Sequence, residues 1–492
     1  MKPLSPTDTL FLLLERRSQP MHVGSLLLLE PPAGAAPDAF AKHVERARSF
    51  TAAVPPFNQM LVKRFGLWFW DEDRDFDIDA HVEHIALPKP GRIRELLALV
   101  SKLHSMLMDR AKPLWEVYYI EGVEGGRAAM YVKFHHAFVD GVAGARMLTR
   151  AMTGDPDERE LRPLWAKNPA ARAAAAAKSA PTTVLGQVAT LARQQAAALP
   201  RVAREITRTL RDSTRDPNDV SLFQAPASIL NQEISASRRF AAQDWELSRI
   251  RHVAHQCGAT LNDVVLAMCA TALRKYLIEM NALPTKPLIA MVPVSLRDDD
   301  TDSGNRVAMV LGNLATNEEN PFKRLQLIKR SMKVSKDRFS RMNQLEIMEY
   351  VSTTMSLEGL NVALGLMPKK QAFNVIISNV PGPRHKLYNN GFEITGAYPV
   401  SIVVDGQALN ITLNSYGDKM AFGLIACSRT LPKMQRLLQY LEEGLAELEG
   451  APEAAPAPKA KKAAAPKAKK PKAEKPEAKA KTRKRAKAKT AK

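Results

Sequence analysis

Apolar residues recur along the chain with two periods, and each period predicts an element type. Met21–Glu30 contains the unbroken run Leu26-Leu27-Leu28-Leu29, which predicts a short buried strand. Between Arg92 and Arg110 the spacing changes. Ile93, Leu96, Leu97, Val100, Leu103 and Leu107 fall on one helical face. Ala128–Phe134 predicts a strand, preceded by Gly125-Gly126, that runs directly into His135-His136. After Gly141 the helical period returns, with Val142, Ala145, Leu148 and Met152 aligned. Near the start, Ser5-Pro6-Thr7-Asp8 predicts a helix N-terminus. Ser5 is the cap, Pro6 takes the first helical position, and Asp8 completes a box-like cap before a short helix through Glu15. Pro113-Leu114-Trp115 opens a further extended stretch.

The second half repeats this mixture. Thr260-Leu261-Asn262-Asp263 predicts a helix start, with the helix continuing to about Met280. Strands are expected at Pro287–Val294, Val307–Thr316, Phe373–Ser378, Val400–Val404, Leu409–Asn414 and Met420–Cys427. An amphipathic helix closes the series at Met434–Leu448. No solenoid repeat is present. Strands and helices interleave in both halves, which predicts an α/β or α+β class. The 492 residues exceed one compact core and imply two domains. Composition divides the chain at residues 1–152, a helical connector at 153–224, a second domain at 225–450, and a tail at 451–492.

Charge changes the picture only at the tail. Residues 451–492 carry 16 Lys and Arg against 3 Glu, most of the net charge of +20. The tail has no aromatic residue and no Leu, Ile, Val or Phe, so it is expected to be disordered. Such a segment is attracted to anionic surfaces. The three cysteines, Cys257, Cys269 and Cys427, form no C-x-x-C pair, which fits a reduced, cytoplasmic protein. The start lacks an apolar signal core. No run reaches the roughly 20 apolar residues that span a bilayer, so any membrane contact is expected to be peripheral.

The strongest chemical signal is His135-His136-Ala137-Phe138-Val139-Asp140-Gly141. A histidine at a strand end is held rigidly with one face open, and its neutral imidazole accepts a proton near pH 7. Gly141 is expected to let the chain turn sharply. Taken alone, the segment also reads as a buried histidine pair followed by an aspartate helix cap. The serine-nucleophile elbow, the P-loop, the dinucleotide-binding fingerprint and the HExxH metal motif are all missing. The remaining histidines, among them His22 and His104, show no metal-ligand spacing and are expected to be non-catalytic.

In these motifs the sequence resembles the bacterial wax ester synthase/acyl-CoA:diacylglycerol acyltransferase family. The matching segments are Met21-His22-Val23-Gly24, Pro113-Leu114-Trp115-Glu116, His135 to Gly141, Asn262-Asp263-Val264-Val265, Pro293-Val294-Ser295-Leu296-Arg297 and Asn379-Val380-Pro381-Gly382-Pro383. They span nearly everything except the tail. The resemblance implies a two-domain fold like chloramphenicol acetyltransferase, with the active site in an interface tunnel. It implies His136 as catalytic base, acyl-CoA as co-substrate without a bound cofactor or metal, and a fatty alcohol or diacylglycerol as acceptor. His135 is then expected to orient its neighbour. Asp140 holds local structure, with Arg297 as one candidate partner. Asn262 is a candidate oxyanion stabiliser, although Asn262 and Asp263 equally fit helix capping. Met355–Met367 is a candidate tunnel lining. The tail is expected to contact an anionic inner membrane or lipid inclusions, with non-specific DNA binding as the alternative. Amide-forming condensation domains share the histidine motif and form a competing reading. A polyanion-binding protein with a degenerate acyltransferase body forms another.

Overall fold

Leu26 to Leu29 lack polar alternation because both faces of their strand are buried: Leu26 and Leu28 enter one core, and Leu27 and Leu29 enter another. The computed structural model describes residues 1–166, 220, 224–295, 307–340 and 371–450. The expected connector helix at Leu185–Leu210, the Met355–Met367 segment, Arg297 and the tail lie outside the described residues.

The strands are β1 (Lys2–Pro3), β2 (His22–Glu30), β3 (Gln59–Arg64), β4 (Leu67–Glu72), β5 (Val82–Ala86), β6 (Trp115–Val123), β7 (Arg127–His135), β8 (Arg238–Glu246), β9 (Ile289–Ser295), β10 (Val307–Asn313), β11 (Val375–Val380), β12 (Tyr388–Asn389), β13 (Phe392–Val400), β14 (Leu409–Tyr416) and β15 (Lys419–Cys427). The α-helices are α1 (Pro6–Leu14), α2 (Ala39–Arg48), α3 (Ile93–Ser105), α4 (Gly141–Arg150), α5 (Leu247–Gln256), α6 (Leu261–Glu279), α7 (Pro321–Ser340) and α8 (Arg436–Glu449).

Two six-stranded mixed sheets carry the fold, ordered β12-β13-β2-β7-β6-β5 and β10-β9-β11-β14-β15-β8. A third sheet is small and ordered β1-β4-β3. The first large sheet is not built from the first half alone. β13 pairs with β2 in antiparallel register, so a strand from the second half completes it. The same strand packs on β8, β14 and β15 of the second sheet. Gly423 permits that approach, because a Cβ there would stand 1.8 Å from Pro399 O. The expected strand at Val400–Val404 is corrected by this finding: the strand ends at Val400, and Val403 instead enters the larger core.

The helix expected over Arg92–Arg110 is corrected at its end: it stops at Ser105, Met106 turns to extended backbone, and Leu107 is exposed instead of on the buried face. The other expected elements within the described residues appear with smaller shifts at their ends. Ser5 caps α1 by accepting from Asp8 N at 3.0 Å, and Glu15 is the C-cap residue. Thr260 caps α6 in a complete capping box with Asp263. No single helix among the described residues is long and apolar enough to cross a membrane.

Candidate active site

β7 delivers its last residue, His135, and the next, His136, to the edge of the fold beside α1. His22 stands opposite His135 across the β2–β7 pair. His136 N donates to Met21 O at 2.7 Å, which ties the residue after the strand to the start of β2. The chain then turns within His135–Val139, where Phe138 N and Val139 N donate back to His135 O at 2.8 and 3.2 Å. The expected sharp turn at Gly141 is not found. Gly141 is the first residue of α4, does not take a positive φ, and has no atom within 4 Å of where a Cβ would be.

The His136 ring is half-buried and stacks on Phe11 of α1, with centroids 4.0 Å apart and planes inclined by 26°. Its Nδ1 is buried and has no hydrogen-bond partner among the described residues. Burial holds the imidazole below its ordinary pKa, against the opposing pull of the Asp140 charge. The ring is therefore neutral at pH 7 and able to accept a proton.

His135 is fully buried and fixed differently. Its Nδ1 accepts from Ala137 N at 3.0 Å, which leaves the ring proton on Nε2 in the neutral form. That Nε2 faces Glu15 Oε1 at 3.3 Å, and His22 Nε2 faces the same oxygen at 3.1 Å. Arg110 holds the other Glu15 oxygen through Nε at 3.0 Å and Nη2 at 2.9 Å. Met21 N donates to Oε1 at 3.2 Å. Burial alone would push the Glu15 pKa up, but His135 and His22 more than reverse it, and the carboxyl stays well below the usual carboxylate range. Burial pushes His22 down to about 4, against the pull of Glu15. Glu15 is thus a buried anion beneath the histidine pair. The sequence flagged it only as a helix end, because its partners come from three separate segments.

A second buried set lies nearby. Lys133, one β7 register step inside Phe134, donates to Glu116 Oε2 at 2.8 Å and Met106 O at 2.9 Å. Tyr118 Oη donates to the same Glu116 oxygen at 2.6 Å. His104 meets Tyr131 Oη at 2.7 Å and Ser401 O at 2.8 Å. These partners satisfy side chains under the strand that carries the histidines.

Asp140 is the N-cap of α4. Its Oδ1 accepts from Ala143 N at 2.7 Å. α4 then presents Val142, Ala145, Arg146 and Thr149 to a cavity of about 500 Å³. The far wall comes from the second sheet: Pro293 and Val294 of β9, and Asn379 to Pro383 at the end of β11. Two motifs distant in sequence therefore meet α4 across the space between the sheets. His136 itself is not among the lining residues. Gly382 is required there, since a Cβ would stand 2.2 Å from Ser415 O. Asp263 is occupied as a helix cap, accepting from Thr260 N at 2.9 Å. Asn262 is different: its Nδ2 is buried without a partner among the described residues. No hydrogen bond or ion pair joins either residue to the histidine motif among the described residues.

Two packed mixed sheets joined in this way form the chloramphenicol acetyltransferase-like fold. The first condensation domain of the calcium-dependent antibiotic synthetase has this fold, with a TM-score of 0.55 at 16% identity over 92% of this chain and 98% of that one. The chain belongs to the wax ester synthase/diacylglycerol acyltransferase family. The catalytic-domain model of that family matches residues 4–265 and its C-terminal-domain model matches 303–449. O-acyltransferase WSD of Acinetobacter baylyi is 51% identical over 92% of this chain and 97% of its own length. A probable diacylglycerol O-acyltransferase of Mycobacterium tuberculosis is 42% identical, with 92% and 99% covered. The solved wax ester synthase/diacylglycerol acyltransferase from Marinobacter aquaeolei superposes with a TM-score of 0.75 at 45% identity, over 91% and 99%. The chain is an acyltransferase.

Proposed function

We propose that the chain moves a fatty acyl group from acyl-CoA to the hydroxyl of a long-chain alcohol or a diacylglycerol, with His136 as general base and no covalent acyl-enzyme. The observation that carries this reading is the half-buried, neutral His136 ring, stacked on Phe11 while its backbone N–H is tied to Met21 O. His136 takes the hydroxyl proton as the oxygen bonds to the thioester carbonyl carbon. The resulting tetrahedral oxyanion collapses, the C–S bond breaks, and the protonated imidazole returns its proton to the CoA sulfur. Asn262 is the candidate donor to the oxyanion, supported by its unpartnered buried amide. His135, Asp140 and Gly141 support the loop, and acyl-CoA is a co-substrate with no resident cofactor.

The apolar cavity walls suit acyl chains. Arg146 and Arg150 stand in the same lining and form no ion pair among the described residues, which supports seating of CoA phosphates there. The experiment is release of CoA from palmitoyl-CoA by the purified protein, with hexadecanol and with a diacylglycerol as acceptors. Ester formation with either acceptor is expected. Turnover only with an amine acceptor overturns the reading in favour of condensation chemistry. The basic tail is proposed to add contact with anionic membrane surfaces. Truncation after Gly450 is expected to keep turnover and lower salt-sensitive vesicle binding.

A further inference from the structure

The small sheet turns at Phe65-Gly66. Arg64 pairs with Leu67 and Lys63 with Trp68. Both turn residues have positive φ, 50° for Phe65 and 82° for Gly66. Tight hairpins place Asn, Asp or Gly at such a first position, and a bulky aromatic there is an outlier. The Phe65 side chain is 99% exposed and Leu67 is 65% exposed.

The two faces of this hairpin differ. Leu61, Trp68 and Trp70 pack into a core cluster with Leu12, Leu114 and Ala137 of the histidine motif. Strand alternation sends Met60, Val62, Leu67 and Phe69 to the opposite face. None of those four belongs to any core cluster. Met1, Leu13, Met106 and Leu107 are also exposed, each within a few positions in sequence of a member of the same cluster.

Charge completes the pattern. Lys63 and Arg64 are exposed at the turn end of the hairpin, with Lys63 Nζ 5.6 Å from the centre of the Trp68 ring. The acidic residues Asp71 and Glu72 lie at the opposite end. Apolar side chains at the tip, cations beside them and tryptophans behind match the layering of an anionic bilayer interface. Each exposed cation near such a surface adds attraction to its anionic headgroups.

We propose that the β3–β4 hairpin is a membrane-inserting finger. Phe65 and Leu67 enter the acyl region of an anionic phospholipid bilayer, and Lys63 and Arg64 bind its headgroups. The finger's inner face touches Ala137 and Phe138, so insertion sets the histidine motif close to the lipid surface. This rests in part on the reading that the substrates are lipids.

Two full-length variants test it on vesicles of phosphatidylglycerol and phosphatidylcholine. Phe65→Trp is expected to show emission, beyond the wild-type background, that is quenched when the vesicles carry brominated acyl chains. The double variant Phe65→Asp/Leu67→Asp is expected to bind the vesicles about tenfold more weakly, the order set by a phenyl ring that no longer leaves water. It should keep wild-type turnover on detergent-dispersed substrate, which separates failed insertion from failed chemistry. Equal Phe65→Trp emission in both vesicle types, or undiminished binding by the double variant, overturns the proposal. So does a dimer that the double variant dissolves, without quenching, since a second copy of the chain would then be the occupant.

Discussion

Phe11 covers one face of the His136 ring at 4.0 Å, so the first helix of the chain shapes the environment of a residue 125 positions later. The contact keeps water from that face and helps hold the imidazole below its ordinary pKa of 6.5. For wild type, kcat/KM is expected to rise with pH as His136 loses its proton, with the midpoint of that limb below 6.5. Phe11→Ala should move that acid limb upward, while Phe11→Leu should move it less. A pH profile of the three proteins checks this.

His136→Ala is expected to lower kcat/KM by about 10²–10⁴, the usual cost of a lost general base. The variant should still fold, with its melting temperature lowered only by the loss of the Phe11 stack. CoA release read with a thiol reagent measures the loss. A folded variant with most of its turnover contradicts the mechanism.

Asp140→Ala is expected to cost about 1 kcal/mol of stability through the lost cap on α4, and Asp140→Asn much less, since Asn caps nearly as well. Activity should fall in the same order. Melting curves paired with turnover decide between positioning and chemistry. An unchanged melt with activity gone would give Asp140 a direct role.

Acid should unfold the protein from the histidine side first. His22 and His43 are held down to about 4 by burial. Between pH 6.5 and about 4 the unfolded chain binds protons that the folded chain refuses. Stability is therefore full above pH 6.5 and is lost as pH falls, by about 1.4 kcal/mol per pH unit per histidine. Glu15 adds to the loss below about pH 4.5, where its carboxyl protonates only in the unfolded chain. Urea melts across this range check the slope. Glu15→Gln should itself cost about 1.5–3 kcal/mol by weakening the Arg110 fork.

Arg146→Ala with Arg150→Ala is expected to raise KM for palmitoyl-CoA with little change in kcat, because phosphate contacts are uniform between ground and transition states. Steady-state kinetics at varied acyl-CoA concentration test it. Equal KM values would remove CoA phosphates from the α4 side of the cavity.

Periodic segments were legible in the sequence. The Leu26–Leu29 strand, the strand ending at His135 and α6 all lie where the residue spacing places them, because each carries an uninterrupted pattern, whereas α3 starts where expected but ends at Ser105, short of Leu107 and Arg110. β13 was not legible at its true position. Gly396 and Pro399 interrupt it as turn signals would, and a register shift sits between Ile394 and Gly396. The apolar run after Val400 looked more strand-like and is not a strand. In the site, His135, His136 and Asp140 were legible because they are contiguous. Glu15 and the Phe11 stack were not, since a carboxylate below two histidines is a property of three segments meeting. His22 shows the same limit: its place opposite His135 follows from strand pairing alone.

The pairing of β13 with β2 also dictates when the protein can finish folding. During synthesis β2 emerges early, carrying four consecutive leucines and one unpaired edge. Its partner strand ends at Val400. At ordinary translation speeds of about 5–20 residues per second, that edge waits roughly tens of seconds for its neighbour. Exposed apolar strand edges recruit other chains. The first half made alone is thus expected to be an aggregation-prone fragment, because its β2 edge would have no β13 to cover it.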